Sequence, residues 1–216
     1  MTTPAKPLPG YLKKRYQAWK ATEFAQNSAW YRKLADEGQR PRTMVISCCD
    51  SRVHVTSIFG AETGEFFIHR NIAALVPPYA PNKDFHGTSA AIEYAVEHLH
   101  VSNILILGHS GCGGVAACHD IVAGNAPELD DGTSFIGPWL EILKPDVGDL
   151  AEGSREARLG ALEKKAVVRG VENLMGFPFV RKAVDEGRLD LHGLWTDVGD
   201  GGLHCYDPDT GTFSAV

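Results

Sequence analysis

The sequence predicts an α/β protein: a mostly parallel central sheet of about four strands, an antiparallel C-terminal edge strand, flanking helices and an N-terminal helical arm. Three observations predict it. Short apolar runs, TMVISC (43–48), EFFIHR (65–70) and NILILG (103–108), have the length and composition of buried strands. Segments of helical periodicity come between and after them, and strands alternating with helices indicate a parallel sheet. Two last runs, LDLHGLWTDV and LHCYD, flank the turn GDGG, which marks a closing hairpin and an antiparallel edge.

From Leu12 to about Gly38 the chain reads as helix. Tyr16 with Trp19, and Trp30 with Leu34, sit at helical spacing among charged residues, and no Pro interrupts them. This places an arm over 10–38 on a single domain spanning 1–216. Such an amphipathic arm needs a surface to pack on, and a partner subunit is one candidate. Ile92, Val96 and Leu99 form the apolar face of a helix in SAAIEYAVEHL. GGVAAC, just after Cys112, reads as a helix start. Residues 125–155, rich in Gly, Pro and Asp, read as a surface excursion. ALEKKAVVRGVENLM (161–175) and PFVRKAVDEG (178–187) read as helices, the Lys and Glu of the first forming a solvated face.

Composition narrows the function classes. A 216-residue chain that is 44% hydrophobic and 22% charged is long enough to bury a core. A formal charge of −6 without a basic patch argues against nucleic acid. No apolar run approaches the roughly 20 residues that span a bilayer. The N-terminal MTTPAKPLPG is polar and Pro-rich with no apolar signal core, so secretion is not expected. Five scattered cysteines, Cys48, Cys49, Cys112, Cys118 and Cys205, do not resemble a disulfide scaffold. They suit a reducing, cytoplasmic setting in which some thiols serve chemistry and others, Cys118 and Cys205 among them, are small core residues.

Two strands end in metal-capable residues. The first runs into Cys48-Cys49-Asp50-Ser51-Arg52, and the third into GHSGCGG, with His109 and Cys112 three residues apart. In open α/β sheets, sites collect at the carboxyl ends of strands. Side chains alternate faces along a strand, so Cys48, Asp50 and Arg52 can share a side that Cys49 does not. Cys48 is therefore the better partner for His109 and Cys112. One imidazole and two thiolates suit zinc and leave a tetrahedron one ligand short, as a catalytic site requires. The glycines beside Cys112 permit a tight turn, and a helix starting there favours the thiolate. Arg52 can hold Asp50 ionised by a bidentate contact. Asp50 could then orient a zinc-bound hydroxide, or swing in as a fourth ligand and shut the site.

With these residues in place, the chain resembles the β-class carbonic anhydrases. The matching pieces are CCDSRV, HRNIAALVPP, SAAIEYAVEHL, VSNILILGHSGCGGV and DLHGLW, in family order, over roughly Leu12 to Asp207. The resemblance implies one zinc ion per subunit held by Cys48, His109 and Cys112, with Asp50 and Arg52 as a catalytic dyad. It implies reversible hydration of CO2 to bicarbonate and a proton. It places Gln39 as donor to bound substrate, and Phe67, Ile72 and Tyr94 around an apolar CO2 pocket shared across a dimer interface, with dimers or dimers of dimers as the assembly. Val45 stands where the bicarbonate-regulated subtype has Trp, which implies the open subtype. Two departures are Cys49, where a small residue such as Ser is usual, and Ala74, where Asn or Gly is common and which reads as neutral. His98, one helical turn after Tyr94, is a candidate proton relay, or else a plain exposed histidine. Relatives of the family hydrolyse carbonyl sulfide or carbon disulfide, and this is the alternative reaction for the same zinc site.

Overall fold

The computed structural model describes residues 4–82 and 86–216, so the first three residues of the polar N-terminal stretch lie outside the described residues. The chain divides into two compact units, residues 1–39 and 40–216. No helix among the described residues is long and apolar enough to cross a membrane.

The N-terminal unit holds two helices rather than one. Helix α1 (Gly10–Trp19) runs on through a wide π turn at Lys20–Phe24, the chain breaks at Asn27, and α2 (Ser28–Glu37) follows. The side chains explain the departure from a continuous helix. Thr22 Oγ1 bonds back to the Ala18 carbonyl at 2.9 Å and Asn27 Nδ2 to the Glu23 carbonyl at 3.1 Å, contacts that compete with the helical ladder. Across the bend Trp19, Phe24 and Tyr31 cluster, with ring centroids 4.9–5.9 Å apart. None of the unit's described residues is buried.

In the second unit the strands are β1 (Thr43–Cys48), β2 (Phe66–Asn71), β3 (Asn103–His109), β4 (Asp190–Thr196), β5 (Leu203–Asp207) and β6 (Thr212–Ala215). They form one sheet in the order β2-β1-β3-β4-β5-β6. The first four are parallel, and β5 and β6 run antiparallel. The sheet therefore has one more C-terminal strand than expected. TFSA in β6 is too short and too exposed to show the alternation that marks a half-buried strand.

The helices are α3 (Val55–Ile58), α4 (Gly87–Glu93, continued by a π turn at Tyr94–His98), α5 (Gly113–Val122), α6 (Ile136–Leu140), α7 (Lys144–Gly148), α8 (Arg155–Leu174) and α9 (Pro178–Asp185). Met44 and Ile46 of β1 and Ile104 and Ile106 of β3 face Ile92, Val167, Leu174 and Val180 from α4, α8 and α9. Val45, Leu107 and Leu194 point to the opposite face, with Val53 and Val55. This is the period-2 alternation of a sheet with two apolar sides.

The 125–155 segment is not only a surface excursion. Leu140, Leu143 and Val147 are buried from it and pack with Cys118, Val115 and Leu162. Helix α8 lies unusually close to the sheet. A Cβ on Gly170 would stand 2.6 Å from Ile106 Cδ1, and one on Gly108 would stand 2.6 Å from Val167 Cγ2. Glycine at both positions lets the helix settle onto β3.

Candidate metal centre

The chain leaves β1 for β2 on one side and returns to β3 on the other. The order of connections thus reverses between β1 and β3, the crevice where open α/β sheets place their sites. Cys48 ends β1 and His109 ends β3. Cys112 follows at the N-cap of α5, after a turn in which Gly111 has a φ of +64°. The three residues are 1–5% exposed, and their ligating atoms lie within 4.8 Å of one another. Cys49 takes no part. It is exposed and lines a cleft of about 610 Å³ with His69, Thr88, Ile136 and Trp139.

The donors fit zinc. The sulfurs of Cys48 and Cys112 are 3.9 Å apart. Two thiolates at the usual Zn–S length on a tetrahedron would stand about 3.8 Å apart. His109 Nδ1 is satisfied by the Ser110 carbonyl at 2.9 Å, which fixes the other nitrogen as the free lone pair. That nitrogen, Nε2, is buried and has no hydrogen-bond partner. A buried, unpaired acceptor between two thiols is costly unless a cation takes it up.

The thiols behave as a pair. The contact with Cys112 draws the Cys48 thiol well below its ordinary range, against the opposing effect of burial, and the same contact holds Cys112 up. Backbone N–H groups of Asp50 and Ala73 stabilise the Cys48 thiolate, the former at 3.4 Å. Burial works against protonation of His109, but the adjoining Cys48, the Ser110 carbonyl and Asp50 outweigh it and raise its proton affinity.

Asp50 stands beside the cluster, its Oδ2 4.0 Å from His109 Nε2. It is turned towards Arg52, whose Nε and Nη2 donate to Oδ1 and Oδ2 at 2.9 and 2.7 Å and whose backbone N–H donates to Oδ1 at 3.0 Å. These bonds hold the Asp50 carboxyl well below the usual carboxylate range, the Arg52 side chain contributing most.

These features have the ligand set of a known family, and the comparisons agree. The family model for carbonic anhydrase matches residues 43–203. The chain belongs to the β-class carbonic anhydrases. It is 35% identical to β carbonic anhydrase 3 of Arabidopsis thaliana over 94% of this chain and 79% of that one. It is 36% identical to the chloroplastic β carbonic anhydrase 5 of the same plant, over 84% of this chain and 59% of the relative's length. Among solved structures, the β-carbonic anhydrase CcaA superposes with a TM-score of 0.85 at 27% identity, covering 95% of this chain and 91% of that one. A tetrameric β-carbonic anhydrase from Sordaria macrospora gives 0.71 at 32% identity, covering 95% of each chain.

The remaining residues expected at a carbonic anhydrase site are placed as follows. Ile72 follows Asn71, the β2 partner of Cys48, and is 40% exposed. Phe67 pairs in register with Met44, four residues before Cys48 and so about 13 Å away along the strand. Its ring lies 5.9 Å from that of Tyr94, which lies 5.3 Å from His98. Phe67 and Tyr94 are thus brought to each other, at the end of β1 opposite their own chain's Cys48. Gln39 is exposed and closes the N-terminal unit.

Three features of the site escaped the sequence. Arg70 donates to the carbonyls of Cys48, Asp50 and Val53 at 2.8, 2.7 and 2.9 Å and so clamps the first ligand segment. Glu163, read as part of a solvated face, is only 4% exposed and reaches the second ligand segment. Ala73 and Ala74 have φ of +62° and +55°, in the left-handed region that Gly and Asn occupy with least strain. Ala74 is therefore not neutral there: it accepts backbone strain that Asn or Gly would relieve.

Proposed function

We propose that this chain hydrates CO2 reversibly to bicarbonate and a proton, using one zinc ion per subunit held by Cys48, His109 and Cys112. The observation that carries this reading is a three-donor cluster with a buried unpaired imidazole nitrogen, next to a carboxylate locked in its ionised form. Zinc bound there would supply the Lewis acidity that makes hydroxide available near neutral pH.

The chain's own residues do the rest. Asp50, through Oδ2, accepts a hydrogen bond from the attacking oxygen and aims its lone pair at carbon. Arg52 keeps that carboxylate charged and in place. Asp50 is turned to Arg52, which supports the open subtype, in which this carboxylate would not bind the metal. The Gln39 amide donates to an oxygen of the nascent bicarbonate. Phe67, Ile72 and Tyr94 form an apolar wall that admits CO2 and excludes bulk water. The released proton leaves to solvent, to buffer, or through the exposed His98 ring.

The active unit is at least a dimer. Phe67 and Tyr94 sit away from their own Cys48, so they serve a site completed by a second copy. The tetrameric β-carbonic anhydrases of Sordaria macrospora support self-association. Two free thiols 3.9 Å apart need a compartment that keeps them reduced, which supports a cytoplasmic setting.

Metal analysis beside a stopped-flow CO2 hydration assay tests the reading. One equivalent of zinc and fast hydration are expected, both lost in Cys48→Ser. Zinc-dependent release of hydrogen sulfide from carbonyl sulfide or carbon disulfide, without CO2 hydration, would instead establish the isostere hydrolase.

A further inference from the structure

Glu163 is a carboxylate in an unusual place. It projects from α8 towards the sheet, 4% exposed, in line with the buried Val167, Gly170 and Leu174 on the same helical stripe. Its Oε1 accepts the backbone N–H of Cys112 at 3.1 Å, and its Oε2 accepts Trp195 Nε1–H at 3.3 Å. Both donors are neutral, so they offset the desolvation of a charge only in part. Burial raises its affinity for a proton, and the N–H groups of Cys112, Trp195 and Gly111, with the charge of His109, oppose that.

The seat is built by three elements. The close approach at Gly108 brings α8 onto β3, and Gly108 pairs in register with Trp195 of β4. Glu163 thus reaches under the β3–α5 turn from behind, while the Cys112 sulfur faces Cys48 in front. The Cys112 N–H lies at the start of α5, where helical N–H groups have no partner within the helix. A bond to that N–H fixes the backbone from which the ligand hangs.

We propose that Glu163 is a positioning residue of the metal centre: it sets the Cys112 ligand by its backbone and links that ligand to Trp195. The proposal rests on the reading that Cys48, His109 and Cys112 hold zinc. Partners one step behind the ligands commonly set metal affinity by about 10–100-fold. Glu163 does so through the peptide rather than through the sulfur, and Trp195 becomes an optical reporter of whether the ligand turn is held.

The test is a cycle of three variants, read by zinc dissociation constant in competition with a chromophoric chelator. A glutamine at 163 has one acceptor oxygen for the backbone N–H groups of the ligand turn on one side and Trp195 Nε1–H on the other, so one side must face its NH2 group. Glu163→Gln should weaken zinc binding by about 10–100-fold. Trp195→Phe alone should leave affinity unchanged, because the carboxylate still accepts from Cys112. Glu163→Gln/Trp195→Phe should recover most of the loss, because the single oxygen is then free for Cys112. Wild-type affinity in Glu163→Gln, or no recovery in the double variant, overturns the proposal. Should Glu163→Gln fail to fold, the emission difference between the unmutated protein and Trp195→Phe, with and without zinc, decides instead. That difference should change on metal removal, and an unchanged one overturns the link. An unmutated protein that takes up no zinc would refute the metal centre itself. Tight zinc binding with an indifferent Glu163→Gln refutes only the positioning role.

Discussion

Arg52 grips Asp50 with two parallel hydrogen bonds, Nε to Oδ1 at 2.9 Å and Nη2 to Oδ2 at 2.7 Å, and with the same Nη2 reaches the Gly111 carbonyl at 2.9 Å. One guanidinium therefore ties the segment after Cys48 to the turn before Cys112, and aims the carboxylate at the same time. Lysine cannot reproduce the fork. Arg52→Lys and Asp50→Asn should each lower kcat by about 100-fold, the scale of a lost positioned acid–base group, with zinc content retained. Metal analysis beside CO2 hydration checks this. Loss of zinc in proportion to activity would show that the pair is structural.

The adjacent thiols should separate cleanly. Cys48 points into the ligand cluster and Cys49 into the cleft beside His69. Cys48→Ser exchanges a soft ligand for a hydroxyl and should abolish stoichiometric zinc and activity. Cys49→Ser should leave both unchanged. A Cys49→Ser protein that loses zinc would mean that the two sulfurs exchange roles.

Much of this was legible because the chemistry sits at the ends of strongly apolar strands. TMVISC and NILILG announce buried strands, and at their ends come the cysteine and histidine of the cluster that could hold a metal. The unread parts have physical reasons. Leu140, Leu143 and Val147 enter the core from helices of five residues and the turn between them, too short to show a period amid Gly, Pro and Asp. Arg70 acts on backbone carbonyls, which leave no mark in a sequence. Glu163 did leave one. It keeps helical spacing with Val167, Gly170 and Leu174, so a charge on the inward stripe was visible, although LEKK reads locally as a wet surface.

Cys118 offers a test of burial by pH. It is fully buried on α5, and desolvation pushes its thiol up to about 11 from 9.0. The folded state thus binds the proton more tightly than the unfolded state. The resulting stability is complete below pH 9 and is lost as pH rises towards 11. A shift of this size corresponds to about 2–3 kcal/mol. Cys118→Ala removes the titration along with some packing. Denaturant unfolding should therefore show the advantage of the wild type over Cys118→Ala shrinking by about 2–3 kcal/mol across that window. A constant difference would mean that the thiol is solvated in the folded chain.

The strongest prediction concerns the rings of Phe67 and Tyr94, 5.9 Å apart and about 13 Å along the strand from their own Cys48. If each subunit lends this pair to its neighbour's metal, a functional site combines Asp50 of one chain with Tyr94 of the other. Asp50→Asn and Tyr94→Ala should then be impaired in different halves of the site. Unfolded together in equal amounts and refolded with zinc, half of the dimers are mixed. Each mixed dimer has one site with both residues intact and one with neither. Activity should rise to about a quarter of the wild-type value, above the sum of the two variants refolded alone. If Tyr94 served the metal of its own chain, both sites of the mixed dimer would carry a lesion and no recovery would appear. Refolding the unmutated protein in parallel sets the yield, so the comparison separates a site shared between subunits from one contained within a single chain.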